Sequence, residues 1–223
     1  MARPSRAEVF DPNEVAIAHV FNRTVRRCFL MGYDAISGKN FDHRKAWIEE
    51  YLRQFAAAFG IDLICYAIMS NHFHLILRSR PDVVATWDNR EVARRWLMIC
   101  PERCSADLKP LPPTEAGINS IANCPVKCQE IRKRLSNFSW WMRLLCQRVA
   151  QRANNEEKGT RKVFSGSVRC DTLDRRSVAV GVCRLCRPQP DPSRHGDDAR
   201  IEQPHVRANA NRSDGHPRNR SEE

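Results

Sequence analysis

Residues 65–78 read CYAIMSNHFHLILR, and the fold is decided there. Two short apolar runs, IDLICYAIM (61–69) and HFHLILR (72–78), flank the polar pair Ser70-Asn71. That pattern predicts a hairpin of two half-buried strands joined by a tight polar link. Side chains alternate between the faces of a strand, so His72 and His74 share one face while Phe73 points the other way, into a core. Two imidazoles about two strand rises apart can share one divalent ion. A bare H-x-H is a weak motif. This pair is singled out by its place at the opening of a strand, directly after a polar link that a ligand can reach.

Working outward, HRKAWIEEYLRQFAAAFG (43–60) sets Ala46, Ile48, Tyr51, Leu52, Phe55, Ala56 and Phe59 at helical spacing, with Asp42 as cap and Gly60 as stop. Before it, EVAIAHVFNRTVRRCFLMG (14–32) mixes β-branched and aromatic residues with polar ones, as a strand and turn do. After the hairpin, DNREVARRWLMIC (88–100) predicts a helix capped by Asp88 and stopped by Pro101. Residues 101–125 are rich in proline and small polar residues and read as a loop or insertion. A helix then runs from Val126 to Glu157, with Trp140, Trp141, Leu144, Leu145 and Val149 as its apolar stripe. Its basic positions, Arg132, Lys133, Arg134, Arg143, Arg148 and Arg152, form either a solvated face or a track for phosphates. Residues 182–223 contain no aromatic residue and no lysine and cannot bury enough apolar surface to order themselves. The organisation expected is a lead-in over residues 1–12, one domain over 13–180 and a disordered tail over 181–223.

The chain has 223 residues and a net charge of +11, with 37 Lys and Arg against 26 Asp and Glu. Such a balance favours a polyanionic partner. No run approaches the ~18 apolar residues of a membrane helix, and the opening MARPSRAEVFDP has no leader-like apolar stretch. A cytoplasmic location follows, with no membrane partner. The ten cysteines are scattered and are expected as reduced thiols. Cys100/Cys104 and Cys124/Cys128 have the spacing of a four-thiolate zinc knot without its usual glycines, so they read either as zinc ligands or as ordinary thiols.

The segment Cys65 to Arg78 resembles the histidine–hydrophobic–histidine motif of the HUH transposases, and most closely their REP-associated tyrosine transposase branch. NRTVRRCFL (22–30) resembles that branch's first strand and turn, LLCQRVAQRAN (144–154) its catalytic helix, and VFSGSVRC (163–170) the basic segment after it. The match covers roughly residues 14–175, with the four motifs in the family's order. The resemblance implies an α+β, ferredoxin-like fold: an antiparallel sheet with helices on one face. It implies His72 and His74 as ligands of Mg2+ or Mn2+, with Asn154, or alternatively Gln151, as the third. It implies single-stranded or hairpin DNA as partner, contacted by Arg23, Arg26, Arg27, Arg78, Arg148, Arg152 and Arg169. It also implies a monomer or homodimer associated with the nucleoid, and metal-dependent cleavage and rejoining of DNA through a phosphotyrosine in transposition.

One part of the pattern is missing. The three tyrosines, Tyr33, Tyr51 and Tyr66, all precede the histidine pair, and Val149 to Arg152 stand where the family's helix carries its nucleophile. The family's domain also closes on a string close to Tyr-Val-Asp-Leu-Asn-Pro-Ile-Arg. Leu185 to Pro192, LCRPQPDP, yields that string when written in suitable synonymous codons and read one base forward. Residues from about Gly181 onward therefore read as an out-of-frame tail, with the slip between Asp174 and Cys183, and Cys183-x-x-Cys186 as an accident of translation. The expected function is a single-tyrosine transposase domain, the alternative a catalytically inactive DNA-binding remnant. A zinc-stabilised RNA-binding module on a similar sheet is a third reading, tied to the four central cysteines.

Overall fold

The computed structural model describes residues 11–25, 29–35, 37–104, 110–160, 162–165 and 168–172. The lead-in is described only from Asp11. The tail, the slip region, Cys183 and Cys186, and Arg26 and Arg27 all lie outside the described residues. The elements run β1 (Ile17–Arg23), β2 (Tyr33–Asp34), β3 (Lys39–Asn40), α1 (His43–Ala58), β4 (Ile61–Ile68) and β5 (His72–Ser79). They continue α2 (Pro81–Thr86), α3 (Asn89–Ile99), α4 (Glu115–Ala122), α5 (Pro125–Leu135), α6 (Phe138–Glu156) and β6 (Arg169–Thr172).

Four strands form one sheet in the order β4-β5-β1-β6, every neighbour antiparallel. With α1 between β1 and β4, and α6 between β5 and β6, this is the split β-α-β arrangement of a ferredoxin-like α+β fold. One face of the sheet is packed. Ala18, Val20, Phe73, Leu75 and Leu77 join Trp47, Ile48, Leu52 and Phe55 of α1 and Trp141, Leu145 and Val149 of α6 in one core. Asn22 of β1 donates to Cys146 Sγ of α6 at 3.2 Å, which fixes α6 on this side. The helices α3, α4 and α5 pack on one another, with α3 also against α1 and α5 against α6.

The strand alternation holds along β1 and β5, but β4 carries an irregularity between Leu63 and Cys65. The extra residue shifts the alternation, so Tyr66 and Ile68 join Leu63 in the helix-side core while Cys65 and Ala67 are buried on the other side. Asp42 precedes α1 but makes no cap bond to it; its Oδ1 instead accepts from Gly32 N–H at 3.0 Å. Asp88 does cap α3, accepting from Glu91 N–H at 2.6 Å. Gly60 ends the α1 turn because nothing larger fits: a Cβ there would stand 2.0 Å from Val84 Cγ2.

Two further sequence expectations are corrected. Within 101–125, Thr114 caps the helix α4 by accepting from Gly117 N–H at 3.1 Å, so part of the insertion is ordered by its own capping chemistry. The helix expected from Val126 to Glu157 is two helices. Asn137 breaks it by adopting an extended conformation and turning its side chain to the N–H groups of Ser139 and Trp140. No helix of the described residues is long and apolar enough to cross a membrane.

Candidate functional site

The link between β4 and β5 is held on both sides. Met69 N–H donates to His72 C=O at 2.9 Å, closing the turn. Leu30 N–H and Thr24 N–H donate to the carbonyls of Ser70 and Asn71 at 2.6 and 2.8 Å, tying the turn to the chain after β1. From that anchored turn β5 departs with His72 and His74 on the face away from α6 and Phe73 in the core, where its ring meets Phe164 edge-on.

The register adds what the motif alone lacks. β1 runs beside β5 with Phe21 opposite His74 and Arg23 opposite His72, and β6 runs beside β1 with Arg169 opposite Phe21 and Asp171 opposite His19. By alternation His19, Phe21 and Arg23 share the face of the histidine pair. His19 Nε2 and His74 Nδ1 are 2.9 Å apart and share a hydrogen bond. The His72 and His74 rings lie 4.9 Å apart, nearly perpendicular, and Phe21 lies 5.3 Å from the His74 ring. Arg169 sits over Phe21 at 5.7 Å. Buried Cys65, Ala67 and Ile76 form the apolar floor beside these rings.

The environment keeps the imidazoles neutral. Burial, and then the charges of His72 and His19, push His74 down to about 4. Burial and the nearby Arg23 lower His72. Burial lowers His19, while Asp171 pulls it back up. Neutral imidazole is the form that ligates a metal. Asn71 Oδ1 can only accept, so at 2.6 Å His72 Nδ1–H donates to it and His72 Nε2 keeps its lone pair. A ligating histidine typically has its second N–H held in this way. Among the described residues no group of three or more His, Cys, Asp or Glu is gathered to hold a metal ion by itself.

The remaining residues singled out from the sequence fall elsewhere. Asn154 and Gln151 belong to α6, which packs on the face of the sheet opposite the histidine pair. Arg78 shares the histidine face but is bound to Asp62, at 2.7 Å. Arg148 is drawn into the helical layer, over the Phe55 ring and bonded to the Ile99 carbonyl, and burial lowers its pKa. Arg152 lies over Trp47 in the same layer. Among the described residues, Arg23 and Arg169 are thus the arginines of the set that flank the histidines. The central thiols are spread out: Cys104 and Cys124 are exposed, Cys128 is buried with its Sγ toward Asn89, and the four form no metal cluster.

The sequence reading missed His19, Phe21, Asn71 and Asp171. The alternation of His19, Phe21 and Arg23 was visible in β1, but which strand they face is a matter of register between segments far apart in the chain.

No family model matches the chain, and no curated protein matches it. Among solved structures it is similar to a REP-associated tyrosine transposase bound to a REP hairpin, with a TM-score of 0.36 and 7% identity. That similarity covers 74% of this chain and 61% of the transposase chain.

Proposed function

We propose that this chain is a DNA-binding domain of the single-tyrosine HUH transposase kind. It takes single-stranded or hairpin DNA against the histidine face of its sheet, with Mg2+ or Mn2+ held by His72 and His74. The observation that carries this reading is the state of the pair itself: two neutral imidazoles on one strand face, each with its Nδ1 already hydrogen-bonded. The order of motifs in the sequence and the net charge of +11 support it.

The donor set fits a divalent ion of borderline hardness, as two neutral imidazoles on one strand face do. When bound, such an ion supplies Lewis-acid polarisation of a phosphate oxygen. Arg23 and Arg169 neutralise neighbouring phosphates, and the rings of Phe21 and the histidines offer surface on which unpaired bases stack.

Cleavage and rejoining of the strand also need a nucleophile. Tyr66 is buried in the helix-side core and Tyr51 lies in the helical layer beneath Arg148 and Arg152. Tyr33, 64% exposed, stands on the small β2–β3 hairpin outside the main sheet. None shares the histidine face, so the reading is binding without formation of a phosphotyrosine: a remnant of the transposition reaction that retains its DNA and metal surface.

The test uses a labelled single-stranded oligonucleotide carrying a hairpin, with Mn2+, and the full chain. The expected result is a salt-sensitive mobility shift that weakens in Arg169→Ala and shows no covalent adduct on a denaturing gel. An adduct, mapped by mass spectrometry to any tyrosine, would restore cleavage and rejoining as the function. Absence of any shift at low salt would remove DNA binding altogether.

A further inference from the structure

His19 stands on a different strand from the H-x-H pair, yet its ring is joined to it. The His19 and His74 ring planes differ by only 13°, with centroids 5.1 Å apart. Their facing nitrogens are 2.9 Å apart. The centroid separation matches that nitrogen–nitrogen distance plus the two ring radii. The rings therefore meet edge to edge in one plane, the geometry of a linear N–H···N hydrogen bond rather than of face-to-face stacking.

Such a bond between neutral imidazoles holds one proton, either on His74 Nδ1 or on His19 Nε2, and the choice matters. With the proton on His74 Nδ1, His74 Nε2 keeps its lone pair; with the proton on His19 Nε2, the neutral His74 ring carries its own proton on Nε2 and cannot ligate there. For His72 the same choice is made by Asn71 Oδ1, which can only accept. For His74 it falls to His19. Asp171, opposite His19 across the β1–β6 pair, places a negative charge beside that ring. Because β5 and β6 flank β1 on opposite sides, that charge lies across β1 from His74; it favours a proton on Nδ1, away from the shared bond, and so leaves His19 Nε2 as the acceptor.

We infer that His19 is a positioning residue of the metal site: by accepting from His74 Nδ1 it holds His74 in the tautomer whose Nε2 is free for a divalent cation. The inference rests on the reading of His72 and His74 as ligands. It assigns no direct contact with the ion to His19. Its role is that of an outer-shell acceptor, whose loss from a metal-binding histidine typically weakens metal affinity by ~10–100-fold.

The test begins on the unaltered, metal-free full chain, labelled with 15N. Long-range 15N–1H correlation spectra are expected to show His74 protonated on Nδ1 and His19 also protonated on Nδ1. In His19→Phe, which keeps a ring but removes the acceptor, His74 is expected to lose that preference. Calorimetric titration with Mn2+ should then show affinity falling at least about tenfold. His19→Gln, which restores an acceptor oxygen, should return the affinity to within about threefold of the original, an effect that a merely space-filling His19 would not produce. A His74 ring protonated on Nε2 in the unaltered chain overturns the inference, as does an unchanged Mn2+ affinity in folded His19→Phe. If the unaltered chain binds no Mn2+, the ligand reading fails. The inference falls with it even where the tautomer is as expected, because the spectra then report a hydrogen bond with no metal to serve.

Discussion

The two faces of the sheet are made from alternate residues of the same strands, and they spend free energy in opposite ways. On the helix side Ala18, Val20, Phe73, Leu75 and Leu77 are at most 1% exposed and sit in one continuous core with α1 and α6. Each contributes by leaving water. On the other side His19, His72 and His74 are half-buried polar rings, all held below their ordinary pKa chiefly by desolvation. Keeping three imidazoles neutral and hydrogen-bonded uses burial differently from packing a core. A single-residue step along β5 separates a position filled for volume from one that holds a half-buried polar ring.

Four measurements sharpen that contrast, and the largest effect belongs to the packed face. Phe73→Ala removes a ring that is 1% exposed and touches Phe164, and should cost about 3–5 kcal/mol in urea denaturation. A loss under ~1 kcal/mol would mean the core collapses around the vacancy. Next is Arg44, 2% exposed, which joins the start of α1 to the end of α6. It donates to Glu156 at 2.9 Å, to Glu157 at 2.6 Å and to the Phe29 carbonyl at 2.7 Å. Arg44→Ala should cost about 2–3 kcal/mol, below the full penalty of a broken buried pair because both carboxylates keep some solvent.

The third concerns pH. Burial pushes the Cys146 thiol up to about 11, against a weaker opposing effect of its bond from Asn22. Because the folded value lies above the unfolded one, this thiol's contribution is intact below pH 9 and declines as pH rises from about 9 to 11. The slope is on the order of 1 kcal/mol per pH unit. Denaturation midpoints of Cys146→Ala should lack that decline; an identical slope would place its origin elsewhere. The smallest effect should come from His72→Ala, within ~1 kcal/mol of the unaltered stability, while under the proposed function the same substitution should abolish Mn2+ binding in titration. A loss as large as that of Phe73→Ala would show that the histidine face is structural after all.

Much of this was legible in the sequence because it is local. The hairpin at Ser70-Asn71, the opposite orientation of Phe73 and the histidines, the cap at Asp88 and the stop at Gly60 depend on residues a few positions apart. The break at Asn137 was local too, but the apolar stripe continues through it, and helical periodicity hides a cap. What escaped was set by contacts between distant segments. His19 reaches His74 only through the β1–β5 register. The side of the sheet taken by α6, the helix that carries Asn154 and Gln151, is likewise a tertiary fact.

The position of β1 has a consequence for how the molecule is made. It is the first strand of the sheet to be synthesised, yet it lies inside the sheet, between β5 and β6. On the ribosome, where the N-terminal part of a chain emerges first, β1 must stay unpaired until the hairpin at Ser70-Asn71 has been made. Its second edge stays bare until α3 to α6 have followed. Both pairings are non-local and carry a loop-closure cost before they return any contact energy. The nascent chain therefore exposes a bare strand edge bearing His19 and Phe21 until Arg169–Thr172 has emerged to cover it.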